Sequence, residues 1–460
     1  MSHIDFNKPA NLHFIGIGGI SMSGFAELLQ SKGFRITGSD SCDSAITEHL
    51  ESLGIQIFYG QRASNIPEDT DLVVYTAAIS EDNPEYAEAV RRGLPMMVRA
   101  EMIGHIMKNY SNAIAVSGTH GKTTTTSMLT NIFLSADKDP TISVGGILDS
   151  IKGNIRIGHS NNWIMEACEY TNSFHHFFPT TSIILNIEED HLDFFKDIHE
   201  IRASFNTFAK LLPKDGLLVI NHDIENYEEI ADGVSAACVT FSTENSQADY
   251  YAANISYDEK GCAMFDLYIR GTFEASYHLA VIGKHNVCNC LAALSVAYEQ
   301  GIETSVIIDG LSTFHGADRR FQHKGTIAGI TIIDDYAHHP SEIEATLLAA
   351  KNYEHNRLWC VFQPHTYTRT KAFLSEFADA LSLADKIIIT DIYAAREKDP
   401  GDISSKDLAQ KLVNLGADVV HISEFDDIEN FILKNCVNGD LLITMGAGNV
   451  VNIGEDLLSF

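Results

Sequence analysis

Residues 113–124, Ala-Ile-Ala-Val-Ser-Gly-Thr-His-Gly-Lys-Thr-Thr, constrain the fold of this chain more than any other stretch. An apolar run of strand length empties into Gly118-Thr119-His120-Gly121-Lys122-Thr123-Thr124, and a helix-forming segment follows. That order places backbone N–H groups at a helix N-terminus beside a lysine ammonium, which is a cradle for a nucleoside triphosphate. A threonine hydroxyl is available there to Mg²⁺. The common P-loop has a glycine where this chain has Val116, so the loop is a shorter variant. The alternative is a glycine turn that merely opens a helix.

A chain of 460 residues is too long for one hydrophobic core and divides into about three domains. With 45% hydrophobic and 20% charged residues it reads as an ordinary soluble globular protein. No apolar run approaches the roughly 18 residues of a membrane span, and residues 1–10 lack a basic-then-apolar signal, so a cytoplasmic location without membrane insertion is expected. Acidic residues outnumber basic ones 62 to 32, and the net charge of -30 opposes nucleic acid as a partner. Any phosphate-bearing substrate must then rely on helix N-termini, a few placed Lys and Arg residues and bound Mg²⁺. The eight cysteines form no Cys-x-x-Cys, and Cys288 and Cys290 fall in an Ala-rich helical segment, so buried free thiols are expected rather than disulfides or zinc.

The first unit, residues 1–109, opens with a strand at 12–15, a turn containing Gly16, Gly18, Gly19, Ser21, Ser23 and Gly24, and a helix through Leu29. A second strand at 34–37 ends at Gly38-Ser39-Asp40, where such folds set a carboxylate against a ribose or base. The glycine turn reports an approach to a diphosphate, and UDP has one as well as NAD.

The second unit, residues 110–318, holds the triphosphate loop and strands at 163–166 and 182–186. Ligands collect at the carboxyl ends of parallel strands, so Glu166, Glu169, Asn186, Asp190 and His191 can converge beside the loop and suit a hydrated Mg²⁺. His191 is equally read as a solvated loop histidine, and residues 188–190 as a solvated loop or helix start. His285-Asn286 leads into helix, with Asn286 as a simple cap on the plainest reading. The third unit, residues 319–460, has strands at 330–333, 358–362, 386–390 and 441–444, three of them followed by polar clusters at 334–340, 363–370 and 446–449. Three such clusters favour a binding edge over capped loops.

Taken together, Gly-Ile-Gly-Gly-Ile-Ser-Met-Ser-Gly, Gly-Thr-His-Gly-Lys-Thr-Thr, Asn186-Ile187-Glu188-Glu189-Asp190-His191, Asp335-Tyr336-Ala337-His338-His339-Pro340 and Gln363-Pro364-His365 through Arg369 resemble the Mur ligase family over essentially the whole chain, in order and in spacing. The form is that of the alanine-adding members. The resemblance implies an α/β protein of three domains: an N-terminal Rossmann-like domain for a UDP-sugar, a central P-loop-type ATPase domain with a mostly parallel sheet, and a C-terminal Rossmann-like domain for the amino acid. It implies ATP-dependent ligation of L-alanine to the lactyl carboxylate of UDP-N-acetylmuramate in peptidoglycan synthesis, by a monomer or homodimer. The nearest alternative is a sister ligase that attaches a recycled tripeptide to the same UDP-sugar. An NAD-dependent oxidoreductase would use the first glycine turn and leave residues 118–124 without a role.

By the same resemblance, Gly16, Gly18, Gly19, Ser21, Ser23 and Asp40 would hold the UDP-sugar. Gly118, Thr119, His120, Gly121, Lys122, Thr123, Thr124, His285, Asn286, Asn289 and Arg319 would bind ATP. Thr123, Glu166 and His191 would be the Mg²⁺ ligands, and Lys122, Glu166 and His191 the catalytic groups. Tyr336, His365 and Arg369 would line the alanine site. Thr366 stands where some members carry arginine, which leaves capture of the alanine carboxylate to Arg369. No lysine occupies residues 203–206, where sister ligases place a carbamylated lysine, and Lys210 is one turn too late.

Overall fold

Three sheets, each laid down by a contiguous part of the chain, carry the architecture of the computed structural model, which describes residues 4–76, 78–395 and 397–459. The first comprises β1 (Asn11–Ile15), β2 (Arg35–Asp40), β3 (Gln56–Tyr59), β4 (Leu72–Tyr75) and β5 (Met96–Val98), all parallel in the order β3-β2-β1-β4-β5. This is the Rossmann-like arrangement the glycine turn predicts.

The second sheet has ten strands: β6 (Asn112–Ser117), β7 (Thr141–Leu148), β8 (Gly153–Arg156), β9 (Asn162–Glu166), β10 (Thr181–Ile184), β11 (Leu217–Asn221), β12 (Ala237–Ser242), β13 (Tyr250–Tyr257), β14 (Cys262–Ile269) and β15 (Thr272–Ile282). Their order is β15-β14-β13-β12-β11-β10-β6-β9-β7-β8, parallel except for the β7–β8 hairpin and the β13–β14–β15 meander. A strand covered on both faces has no polar side, and Ala113 to Val116 of β6 are fully buried. The third sheet is β16 (Gln322–Ile327), β17 (Ile330–Asp335), β18 (Leu358–Phe362), β19 (Lys386–Ile389), β20 (Val419–His421) and β21 (Leu441–Met445), in the order β16-β17-β21-β18-β19-β20, with only β16 antiparallel.

Register aligns the strand ends that matter. Val116 lies opposite Glu166 and Ser117 opposite Ile184, so the loops after β6, β9 and β10 leave one edge side by side. Likewise Asp335, Met445 and Phe362 are in line, which gathers the three polar clusters of the third sheet. The N-terminal and central units share apolar packing, with Phe25 against Trp163 at a ring-centroid distance of 6.0 Å.

Three local expectations change. The strand expected over 34–37 continues to Asp40, because Gly38 pairs with Phe14 and a side chain there would meet Ile17 at 2.7 Å; that glycine serves close packing, not a turn. The strand expected to reach Asn186 stops at Ile184, because Leu185 and Asn186 bend over the triphosphate loop. Asn286 is not the helix cap: the helix Lys284–Glu299 starts at Gly283, whose φ of +88° suits glycine, and Asn286 donates to the Ile282 carbonyl at 2.8 Å. The meander was not foreseen, since its strands alternate weakly in polarity. Of the two thiols expected to be buried, Cys290 is buried and Cys288 half-buried.

One buried polar network fixes the N-terminal sheet. Glu85 accepts from His13 (3.0 Å), Ser39 (2.6 Å), Asn65 (2.6 Å) and the Arg62 amide (3.2 Å). Burial alone would raise its pKa, but the hydrogen bonds from His13, Ser39 and Asn65 hold it below the ordinary glutamate value. A depressed folded-state pKa contributes stability above the unfolded pKa, and that stability is lost as pH falls through the folded one. Glu85→Gln is therefore expected to cost about 1–3 kcal/mol at pH 7, with the deficit against the parent shrinking below roughly pH 4. Thermal unfolding at the two pH values checks this; a constant deficit would contradict it.

Candidate active site

The triphosphate loop is held open by a side chain outside it. Asn186 accepts the His120 N–H at 2.7 Å and donates to the His120 carbonyl at 3.1 Å, while its own carbonyl takes the Thr119 N–H at 3.1 Å. The Thr119 hydroxyl accepts the Glu188 N–H at 2.9 Å, tying the loop to the segment that carries His191. Gly118 and Gly121 have φ of +142° and +83°. The helix Lys122–Ser135 starts directly after Gly121, so the amides of Lys122, Thr123 and Thr124 lack intrahelical partners and face the cavity.

A Cβ on Gly121 would lie 2.3 Å from Asn289 Oδ1, and a left-handed alanine costs a further 1–2 kcal/mol or so. Gly121→Ala is accordingly expected to raise the KM for ATP at least about tenfold. Saturation curves at fixed co-substrates check it, and an unchanged KM would contradict it.

Lys122 Nζ crosses the mouth of the loop, donating to Gly118 O at 2.5 Å, Thr119 O at 3.0 Å and Glu169 at 3.0 Å. Burial would lower the lysine pKa, but the Glu169 charge, with Cys168 and Glu166 behind it, pushes it up to about 12. Lys122 is thus a fixed cation, and Glu169, buried, is held ionised by Lys122 and His191. His191 Nε2 stands 3.6 Å from Glu169 and 3.8 Å from Asp190, and its ring lies against Tyr170. It is half-buried within the constellation rather than loose in solvent.

Two cavities meet at the loop. The larger, about 440 Å³, is lined by Thr119, Lys122, Thr123, Glu166, Asp190 and His191 of the central domain and by Arg319, Arg320, Tyr336, His338 and Glu342 of the C-terminal one. The second, about 240 Å³, is lined by Thr124, Asn186, His285, Asn286, Asn289, Arg320 and Thr346 among others. Burial, reinforced by the positive charge of Arg320, lowers the pKa of His285 to about 4, so a neutral imidazole faces that cavity. A chamber lined by Lys122 and two arginines beside one faced by a neutral imidazole suits a nucleoside triphosphate.

Contacts close the seam between the two domains. Arg369 donates to Asp190 at 2.7 Å and lies 3.1 Å from His365 Nδ1, while its buried Nε has no hydrogen-bond partner. His120 Nδ1 lies 3.0 Å from Glu342, and His339 Nε2 3.0 Å from the Glu189 carbonyl. Ser341 donates to Glu188.

The family models match almost end to end: "Mur ligase family, catalytic domain" over residues 11–111, "Mur ligase middle domain" over 116–297, and "Mur ligase, glutamate ligase domain" over 319–448. The chain belongs to the Mur ligase family. A UDP-N-acetylmuramate--L-alanine ligase of Lachnoclostridium phytofermentans is 57% identical over 467 residues, covering 100% of both chains. One from Agathobacter rectalis is 57% identical over 458 residues with the same coverage. Among solved structures, the UDP-N-acetylmuramate-alanine ligase of Thermotoga maritima superposes with a TM-score of 0.80 at 29% identity, covering 98% of each chain. A murein peptide ligase of Psychrobacter arcticus gives a TM-score of 0.69 at 26% identity and the same coverage.

This Mur ligase places its sequence-derived site residues unevenly. Lys122, Thr123, Glu166, His191, Arg319 and Tyr336 share one cavity. Arg319, however, is held within its own domain, donating to Asp334 (2.8 Å) and to the carbonyls of Gly446 (2.7 Å) and Gly448 (3.0 Å). Its neighbour Arg320 borders both cavities, and nothing in the Asp-Arg-Arg sequence distinguishes the two. Glu342 was also missed; three residues beyond His339 it reads as a capping-box glutamate, and it does accept the His338 and His339 amides. Thr366, at φ +64°, accepts the Arg369 N–H at 3.4 Å and starts the helix Tyr367–Ala372, where an arginine would lose that cap.

In the N-terminal domain the turn's own amides are already engaged. Gly16 and Ile17 donate to Ser39 O, Gly19 to Gly16 O, and Gly18 to Asp40 Oδ2 at 2.8 Å. Asp40 therefore braces the turn. Ser23 donates to the Ile20 carbonyl. The Ile20, Ser21 and Met22 amides that open the helix Ile20–Ser31 have no intrahelical partner.

Proposed function

We propose that this ligase joins L-alanine to the lactyl carboxylate of UDP-N-acetylmuramate, with cleavage of ATP to ADP and phosphate, through an acyl phosphate. The observation that carries the reading is full-length identity of 57% to relatives bearing that name, combined with a triphosphate loop that shares one cavity with Glu166 and His191 of its own domain and Arg320 and Tyr336 of the C-terminal one.

A carboxylate does not react with an amine until an oxygen becomes a leaving group. Attack of the lactyl carboxylate on the γ-phosphorus supplies one, and the difficulty is bringing two anions together. Lys122, fixed by Glu169 and the loop carbonyls, stabilises the charge on the transferring phosphoryl group without reorganising. The alanine carboxylate is received by Arg369, whose Nε is free, and the neutral amine attacks the acyl carbon to expel phosphate. His338, held near pKa 4 by burial, keeps a neutral face towards the cavity. The cross-domain contacts exclude water from the acyl phosphate.

The donor set fits Mg²⁺: Thr123 and Glu166 line the same cavity, and the Glu166 carboxylate is braced by the Gly145 amide at 2.5 Å. Those two groups with His191 would hold the ion, which when bound neutralises phosphate charge. Transfer of carboxylate ¹⁸O from labelled UDP-N-acetylmuramate into released phosphate tests the route. One labelled oxygen per phosphate is expected; unlabelled phosphate would exclude the acyl phosphate.

A further inference from the structure

We propose that His120, Glu188 and His339 form a second divalent-metal site, of the zinc class, at the seam between the central and C-terminal domains. One ligand atom from each lies within 4.8 Å of the others. His120 Nε2 is 3.4 Å from Glu188 Oε2, and His339 Nδ1 is 4.0 Å from the same oxygen. A tetrahedral zinc with bonds near 2.0–2.1 Å spaces its ligand atoms about 3.3 Å apart, so small side-chain rotations complete the geometry.

The tautomers are already set by the partners of the other ring nitrogens. His120 Nδ1 donates to the Glu342 carboxylate at 3.0 Å and His339 Nε2 to the Glu189 carbonyl at 3.0 Å. These are the outer contacts that orient metal-bound imidazoles. They aim His120 Nε2 and His339 Nδ1 at Glu188. His120 Nε2 is buried without a hydrogen-bond partner, and His339 Nδ1 faces only a 3.4 Å approach of the Ser341 amide. Glu188 is steadied by the Ser341 hydroxyl.

Two imidazoles and one carboxylate leave the fourth position open, the donor set of an accessible zinc site. Oxygen-preferring Mg²⁺ is poorly matched to two nitrogens, which separates this site from the Thr123, Glu166 and His191 set. Since His120 belongs to the triphosphate loop and His339 opens the helix Pro340–Ala350, a metal here would tie the two domains together.

The test uses the full-length ligase in excess MgCl₂, titrated with ZnCl₂ by equilibrium dialysis and with CoCl₂ by visible absorption. Glu188→Gln, His339→Asn and Glu166→Gln are measured alongside, with folding checked by thermal unfolding. One equivalent of zinc, a tetrahedral cobalt spectrum and at least tenfold weaker binding in both seam variants, with Glu166→Gln unchanged, is the expected result. No retained zinc, equal affinity in the seam variants, or weakening in Glu166→Gln alone would overturn the proposal.

Discussion

Lys122→Met is expected to lower turnover by at least about 10³-fold while leaving UDP-N-acetylmuramate affinity within twofold of the parent. Removing one preorganised donor to developing charge typically costs roughly 10²–10³ in rate, and in the proposed reaction Lys122 serves both the phosphoryl group and the loop geometry. The structure adds a second effect. Glu169 is almost wholly buried, and without the ammonium it keeps only the His191 partner, so the variant is also destabilised by about 3–5 kcal/mol. The two effects separate in the double variant Lys122→Met, Glu169→Gln, which should regain most of the stability and none of the turnover. Thermal unfolding and phosphate release on the three variants decide it. Recovery of turnover in the double variant would show that Lys122 is a structural counter-ion alone.

The Arg369–Asp190 pair carries the other large effect. Both side chains are about nine-tenths buried and belong to different domains, 179 residues apart. Burial would raise the Asp190 pKa, but Arg369 and His191 hold it far below the carboxylate range, so the pair stays charged. Arg369→Ala removes the proposed alanine anchor and leaves Asp190 uncompensated, a loss of about 3–5 kcal/mol for the closed arrangement. That corresponds to a fall in kcat/KM for L-alanine of roughly 10²–10⁴-fold. Arg369→Ala with Asp190→Asn should relieve the uncompensated charge, so that ATP saturation returns to normal while the alanine KM stays high. An unaltered alanine KM in either variant would remove Arg369 from the substrate site.

These effects show which parts of the site were legible in the sequence. The triphosphate loop was, because strand, turn and helix are contiguous and each glycine answers to a local backbone requirement. The α/β character of the outer sheets followed from the same alternation, but not the order of their strands. The bracing of the loop by Asn186 and the seam pairs His120–Glu342, Ser341–Glu188 and Arg369–Asp190 join residues tens to hundreds of positions apart, and no period or spacing announces them. The choice between Arg319 and Arg320 turns on which guanidinium the Gly446 and Gly448 carbonyls engage, a tertiary fact. The hydrogen bond from the Gly18 amide to Asp40 is likewise a tertiary contact that the spacing of the two residues does not announce.

The central claim is that one amino acid, L-alanine, completes a reaction in which ATP and UDP-N-acetylmuramate are already committed. Phosphate release from Mg²⁺-ATP in the presence of UDP-N-acetylmuramate, comparing L-alanine with the L-Ala-γ-D-Glu-diaminopimelate tripeptide, tests it most directly. Release with L-alanine, together with loss of release when UDP-N-acetylmuramate is omitted, is the predicted result. Release with the tripeptide alone, or with neither acceptor, would contradict it.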